Sequence, residues 1–168
     1  SNLNLIKNDK IDLIIGNNVL AHNPNLNEFV SSMKYVLNKD GIITLEFPHL
    51  LSLIENNEFD TIYHEHFSYF SFYAVNELFK RNKLKIFDVE EIDIHGGSLR
   101  IYATHTENKI SIQKNIYNIQ DKELSHHLYD EITYKDFSNK IIQIKKDILT
   151  FIIKLTIPKD IVDENQHS

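Results

Sequence analysis

The chain has 168 residues, of which 42% are hydrophobic and 25% charged, with a net charge of −6. That is the length and composition of one ordinary globular domain, and it excludes an intrinsically disordered chain. The acidic balance, with Arg81 and Arg100 as the only arginines, argues against a nucleic-acid backbone as partner, and the lack of Cys excludes disulfides, thiolate zinc sites and a cysteine nucleophile.

No leader pattern opens the chain and no apolar run approaches the roughly 20 residues of a membrane span. A cytoplasmic location without membrane contact is therefore expected. Glycine is scarce, and the four that occur, Gly16, Gly41, Gly96 and Gly97, carry correspondingly more information about where the backbone needs freedom.

In chain order, the first readable element is Ile11-Asp12-Leu13-Ile14-Ile15-Gly16. A short, nearly continuous apolar run ending in Gly predicts a strand buried on both faces, the habit of parallel sheets. After a loop from Asn17 to Asn25, Leu26, Phe29, Val30, Met33, Val36 and Leu37 recur at helical spacing, with Asn25 as its cap and Asp40-Gly41 closing the unit. A second apolar strand, Ile42 to Phe47, stops at Pro48. Strand, helix and strand make a right-handed βαβ unit.

From Leu50 to Ser71 the chain is rich in His, Tyr, Phe and carboxylates and has no clean period. Ala74, Leu78 and Phe79 mark a short helix to about Asn82. Leu84–Asp93 and Ser98–His105 read as two strands, and the link Ile94-His95-Gly96-Gly97 suits a reversal through positive φ, so they should pair antiparallel. Beyond Glu107 the chain turns polar and then helical. Ile141, Ile144, Ile148, Ile152 and Leu155 share one face up to Pro158, the pattern of a core-facing or partner-facing helix, and the tail from Lys159 should fray. His126 and His127 read as surface residues.

Chemistry concentrates in Asp60-Thr61-Ile62-Tyr63-His64-Glu65-His66-Phe67-Ser68-Tyr69. Histidine can accept a proton near neutral pH, a carboxylate can orient an imidazole, and a phenol can stabilise an oxyanion. Together these are the groups that proton abstraction beside a carbonyl needs. Two bland readings stand beside that one: an H-x-H metal pair at His64 and His66, for which no further ligand follows at suitable spacing, and a solvated polar loop. His22 and His49 each follow the C-terminal end of a parallel strand, where open α/β sheets bind ligands.

Four phrases taken together resemble a known family: Asp12 to His22, Asp40 to Pro48, Asn57 to Ser71 with its Tyr63-His64-Glu65-His66 core, and His95-Gly96-Gly97-Ser98-Leu99-Arg100. In that order, over roughly residues 10–105, they look like the S-adenosylmethionine-dependent sugar C-methyltransferases, which act on nucleotide-linked 4-keto-deoxyhexoses. The resemblance implies an α/β fold, the C-terminal half of a Rossmann-like methyltransferase sheet, with these strands as its fourth to seventh and the last two as an antiparallel hairpin. It implies a partial methyltransferase domain over residues 1–107 and a helical extension over 108–168.

It further implies His66 as general base with Glu65 and Tyr63 assisting, and Asn18 and His22 beside S-adenosylmethionine. His64, Tyr69, His49, His95 and Arg100 would face the nucleotide sugar, with no metal involved. An O- or N-methyltransferase of another small molecule, or a non-catalytic interaction module, are the alternatives. The family's Cys-rich zinc module, Gly-rich cofactor loop and second α/β domain have no counterpart here, so the resemblance implies an internal part of a longer enzyme. Alone, such a part should be weakly active at best and should self-associate, as a homodimer or swapped assembly, through the exposed edge of its first strand.

Overall fold

The computed structural model describes residues 10–156; the expected helix end at Pro158 and the tail after it lie outside the described residues. Four strands form a single sheet in the order β1 (Ile11–Asn17), β2 (Leu37–Pro48), β4 (Ser98–His105), β3 (Leu84–Ile92). β1 and β2 are parallel, joined by helix α1 (Leu26–Val36), while β4 runs antiparallel to both β2 and β3. The βαβ unit and the terminal antiparallel hairpin are thus present as expected. The reversal between β3 and β4 uses three successive positive φ angles, at His95 (52°), Gly96 (77°) and Gly97 (117°).

Side-chain alternation decides which face of the sheet is covered. Ile43, Leu45 and Phe47 of β2 lie directly opposite Ala103, Ile101 and Leu99 of β4, and all six are buried. The same face takes Val30 and Met33 of α1, Phe72, Val75 and Phe79 of α3 (Phe72–Arg81), and Ile116 and Ile119 of α4 (Lys114–Ser125). Burying each such Leu, Ile, Val or Phe side chain is worth about 1.5–3 kcal/mol, so this single layer of helices on the sheet supplies most of the apolar stabilisation.

Three expectations are corrected. β1 is not buried on both faces: Ile14 packs on the core, but Leu13 and Ile15 point the other way and are 53% and 64% exposed. β1 is the sheet edge, with β2 as its one paired neighbour among the described residues. Helix α1 stops at Val36, and β2 begins at once, so Asp40-Gly41 lies within the strand rather than closing the helix. Gly41 is needed there because a Cβ would sit 2.8 Å from Leu37 Cδ1 and 3.0 Å from the Ile11 carbonyl oxygen. Asn25 occupies the N-cap position of α1 without a side-chain cap bond; its own N–H donates to Asn23 Oδ1 at 2.8 Å.

The stretch from Leu50 to Ser71, aperiodic in sequence, holds a six-residue helix α2 (Leu50–Glu55) and one 3-10 turn (Phe59–Thr61). Both are shorter than the window in which a helical period can be recognised. The chain divides into two compact units, the first reaching Tyr129 and the second beginning at Asp130. The described part of the second holds α5 (Glu131–Thr156), a 26-residue helix. Of its stripe Ile141, Ile144, Ile148, Ile152 and Leu155, the first two are half-buried and the last three exposed. Among the described residues no helix is long and apolar enough to cross a membrane.

Candidate active site

The C-terminal tips of the parallel strands β1 and β2 meet at a cavity of about 210 Å³. Its lining includes Asn18 and His22 after β1, Pro48 at the end of β2, Glu58, Thr61, Tyr63 and His66 from the aromatic stretch, and His95 from the hairpin turn. Each has a local reason to be there. Gly16 lets β1 pass close to β2, since a Cβ would meet Leu45 Cδ2 at 2.8 Å. Asn18 then turns through a left-handed φ of 55°, a conformation asparagine tolerates, and its N–H donates to the Glu46 carbonyl at 2.8 Å.

The segment after the 3-10 turn folds back over the tip of β1. The Phe67 N–H donates to the Ala21 carbonyl at 2.8 Å, and the His66 N–H to the Tyr63 carbonyl at 3.1 Å. The chain leaves this loop beside β2, where the Leu50 N–H donates to the Phe70 carbonyl at 2.9 Å and His49 bridges Phe70. Ser71 caps α3 by accepting the Ala74 N–H at 3.1 Å.

His66 stands at the centre. Its Nδ1 lies 3.1 Å from the Thr61 carbonyl oxygen. A carbonyl only accepts, so in the neutral ring Nδ1 carries the hydrogen and Nε2 holds the lone pair. Tyr63 packs against the imidazole with ring centroids 4.4 Å apart and planes tilted by 41°, His22 meets it edge-on at 4.8 Å, and Tyr69 edge-on at 5.7 Å. His22 is held in the same manner, its Nδ1 3.1 Å from the Glu65 carbonyl oxygen, so that Nδ1 carries the hydrogen in the neutral ring.

Of the residues singled out in sequence, the structure brings Asn18, His22, Tyr63, His66 and His95 together around the cavity. Tyr69 lies just behind His66, lining a smaller adjoining hollow with Ser68 and Phe70. Four others are placed elsewhere. Glu65 and His64 are exposed and do not line the cavity; Glu65 contributes its backbone carbonyl, not its carboxylate. Arg100 lies in the sheet, paired with Glu46 at 3.0 Å and Glu90 at 3.6 Å. The hydrogen bond to Glu46 holds the guanidinium pKa above its ordinary value.

His49 points away from the cavity that its neighbour Pro48 lines, as alternation along an extended chain requires. It is 1% exposed, and its Nε2 lies 2.8 Å from Glu123 Oε1. Glu123, on α4, also accepts from the N–H groups of Phe72 and Tyr73 and from the Tyr129 hydroxyl. Burial opposes ionisation of Glu123, but the hydrogen bonds from His49, Tyr129, Phe72 and Tyr73 outweigh it and hold the carboxyl below the usual carboxylate range. This network ties α4 to the start of α3 and the end of β2, behind the site.

Sequence reasoning missed Glu58 and Thr61 at the cavity. The neighbourhood of Glu58 had a signal in Gly96, a scarce glycine whose open side is filled by the Glu58 carboxylate. Among the described residues no three His, Cys, Asp or Glu side chains converge as a metal site would require.

Comparison with known proteins bears on the family and the fold. A methyltransferase-domain family model matches residues 5–89, and a C-methyltransferase C-terminal-domain model matches residues 93–162. The chain belongs to the methyltransferase-domain family, and its C-terminal part matches the C-methyltransferase model. The C-methyltransferase NovU of Streptomyces niveus is 33% identical over 136 residues, 81% of this chain. The chain spans about a third (32%) of that relative's length.

Among solved structures, the complex of the Trm112 methyltransferase activator with a methyltransferase of Haloferax volcanii superposes with a TM-score of 0.50. It has 10% identity and covers 60% of this chain and 56% of that one. Magnesium protoporphyrin IX methyltransferase of Synechocystis, bound to S-adenosylhomocysteine, gives a TM-score of 0.46 at 16% identity, covering 60% of this chain and 48% of its own. The fold is that of an α/β methyltransferase, and S-adenosylmethionine is the cofactor of the family.

Proposed function

We propose that this chain carries the proton-abstracting part of an active site that methylates the carbon beside the ketone of a nucleotide-linked keto-deoxysugar, in the cytoplasm. The observation that carries the reading is the pinned ring of His66, with Nδ1–H on the Thr61 carbonyl and Nε2 without a hydrogen-bond partner among the described residues, at a cavity on the strand tips. Nε2 takes the proton from the substrate carbon, and the C–H electron pair moves onto the carbonyl oxygen as an enolate. Tyr63, at the same cavity, supplies a hydroxyl to that oxygen, and its ring stabilises the imidazolium through a cation–π contact.

Asn18 supports placing the cofactor here. Its Oδ1 is buried with no hydrogen-bond partner among the described residues, and a buried acceptor left unpaired is costly. The amino and ribose hydroxyl groups of S-adenosylmethionine are donors of the required kind, and His22 is the neighbouring polar group. When bound, S-adenosylmethionine supplies an electrophilic methyl group on a sulfonium, so the protein's task is to generate and hold the carbanion. Self-association through the free edge of β1, beside the exposed Leu13 and Ile15, belongs to the same reading.

The test is hydrogen exchange at the substrate carbon. A nucleotide-linked 4-keto-deoxysugar incubated with the protein in deuterium oxide should acquire deuterium beside the ketone, and His66→Ala should abolish it. Exchange that persists in His66→Ala, or methylation of oxygen or nitrogen by the wild type, overturns the reading.

A further inference from the structure

Glu58 is the one acidic side chain among those lining the cavity, and abstraction by His66 leaves it unused. Its position is built rather than incidental. The Glu58 N–H donates to the Leu53 carbonyl at 2.9 Å, and the Thr61 hydroxyl donates back to the Glu58 carbonyl at 2.7 Å. The carboxylate nests against the hairpin turn, in space that only a glycine leaves open: a Cβ at Gly96 would fall 1.9 Å from Oε1 and 2.2 Å from Oε2. Asn56 Nδ2 bridges the two pieces, donating to Glu58 Oε1 at 3.2 Å and to the Gly96 carbonyl at 2.9 Å.

Those contacts satisfy Oε1 alone. Among the described residues Oε2 has no donor, and no Lys, Arg or His forms an ion pair with the carboxylate. An ionised carboxylate only accepts hydrogen bonds, so whatever enters this end of the cavity must present a donor. A phosphate would be repelled by the negative charge, which assigns this end to the sugar ring rather than to the pyrophosphate. An ammonium would meet the positive charge that His66 acquires on abstraction, which leaves a neutral hydroxyl as the matching group.

We propose that Glu58 is a substrate-binding residue whose free carboxylate oxygen accepts a hydrogen bond from a hydroxyl of the sugar ring, selecting hydroxylated keto sugars over their deoxy counterparts. It rests on the functional reading above and specifies the substrate for the same cavity.

Calorimetric titration of the full chain tests it, with a nucleotide-linked keto sugar and the analogue lacking the ring hydroxyl. Glu58→Gln should weaken binding of the hydroxylated ligand about tenfold, the worth of one charge-assisted hydrogen bond. Binding of the deoxy analogue and of S-adenosylmethionine should be unchanged. Glu58→Asp, which keeps the charge one methylene further away, should show a smaller loss with the same selectivity. Equal losses for both sugars, no loss for either, or a loss confined to S-adenosylmethionine overturns the assignment. Deuterium exchange by the wild type separates the two levels: exchange present with Glu58→Gln indifferent to the hydroxyl refutes the role of Glu58 alone, whereas absent exchange refutes the functional reading beneath it.

Discussion

The imidazole of His66 donates through Nδ1 to the carbonyl oxygen of Thr61, 3.1 Å away, a residue that lies on the 3-10 turn five positions earlier. A local backbone acceptor thereby fixes the tautomer, with no acidic side chain involved. Replacing His66 by Asn separates the two functions of the ring, because an Asn amide can donate to Thr61 but has no basic nitrogen. We expect a melting temperature within about 2 °C of wild type, the scale of a change below about 0.5 kcal/mol. Hydrogen exchange beside the ketone should fall by about 10²-fold or more. The measurements are calorimetric melting and proton NMR in deuterium oxide.

Glu123 behaves as a buried strut. Its carboxyl is held below the usual range, so the unfolded chain binds the proton more readily than the folded one. Its contribution to stability is therefore complete above the unfolded pKa of about 4.3 and is lost as pH falls through the lower folded value. Glu123→Gln should cost about 3 kcal/mol at neutral pH by leaving buried donors poorly matched. It should also flatten the decline of stability below pH ~4.3. Urea melts of both proteins between neutral and acid pH measure this; parallel pH profiles would refute the account.

Asn18 should separate binding from folding. Because Oδ1 has no protein donor among the described residues, Asn18→Asp alters charge, but Asn18→Ala simply removes the unpaired acceptor. The alanine variant breaks no protein hydrogen bond but loses the tolerance of asparagine for the left-handed φ of 55°, so it should lose about 1–2 kcal/mol of stability and should bind S-adenosylmethionine about tenfold more weakly. Titration calorimetry beside a melting curve checks both halves.

The exposed apolar face of β1 predicts association. Ile15, 64% exposed on the edge strand, is the most accessible of its three outward isoleucine and leucine side chains. A lysine there adds charge where edge strands commonly carry it. Light scattering should show the wild-type chain as a dimer and Ile15→Lys shifted toward monomer; a wild-type monomer at micromolar concentration would dispose of this expectation.

What was legible in the sequence was whatever depends on local period and chain order. The apolar run from Ile42 to Phe47 and the glycine pair at the hairpin mark the strands and their reversal, because strand-forming runs and positive φ are near-neighbour properties. The position of His22 at the cavity followed from loops collecting at parallel strand tips, whereas the grouping of Asn18, Tyr63 and His66 with it was implied by the family resemblance.

Tertiary structure alone decided which polar groups face the cavity. Glu65 adjoins His66 in sequence yet turns outward, while Glu58 reaches the site by filling the space beside Gly96, 38 positions later. His49 sits at a strand tip as a ligand-binding residue would, but its partner is Glu123, 74 positions away on α4. The orientation of a side chain at the end of a strand depends on what the rest of the chain packs around it, and no local pattern of residue types encodes that.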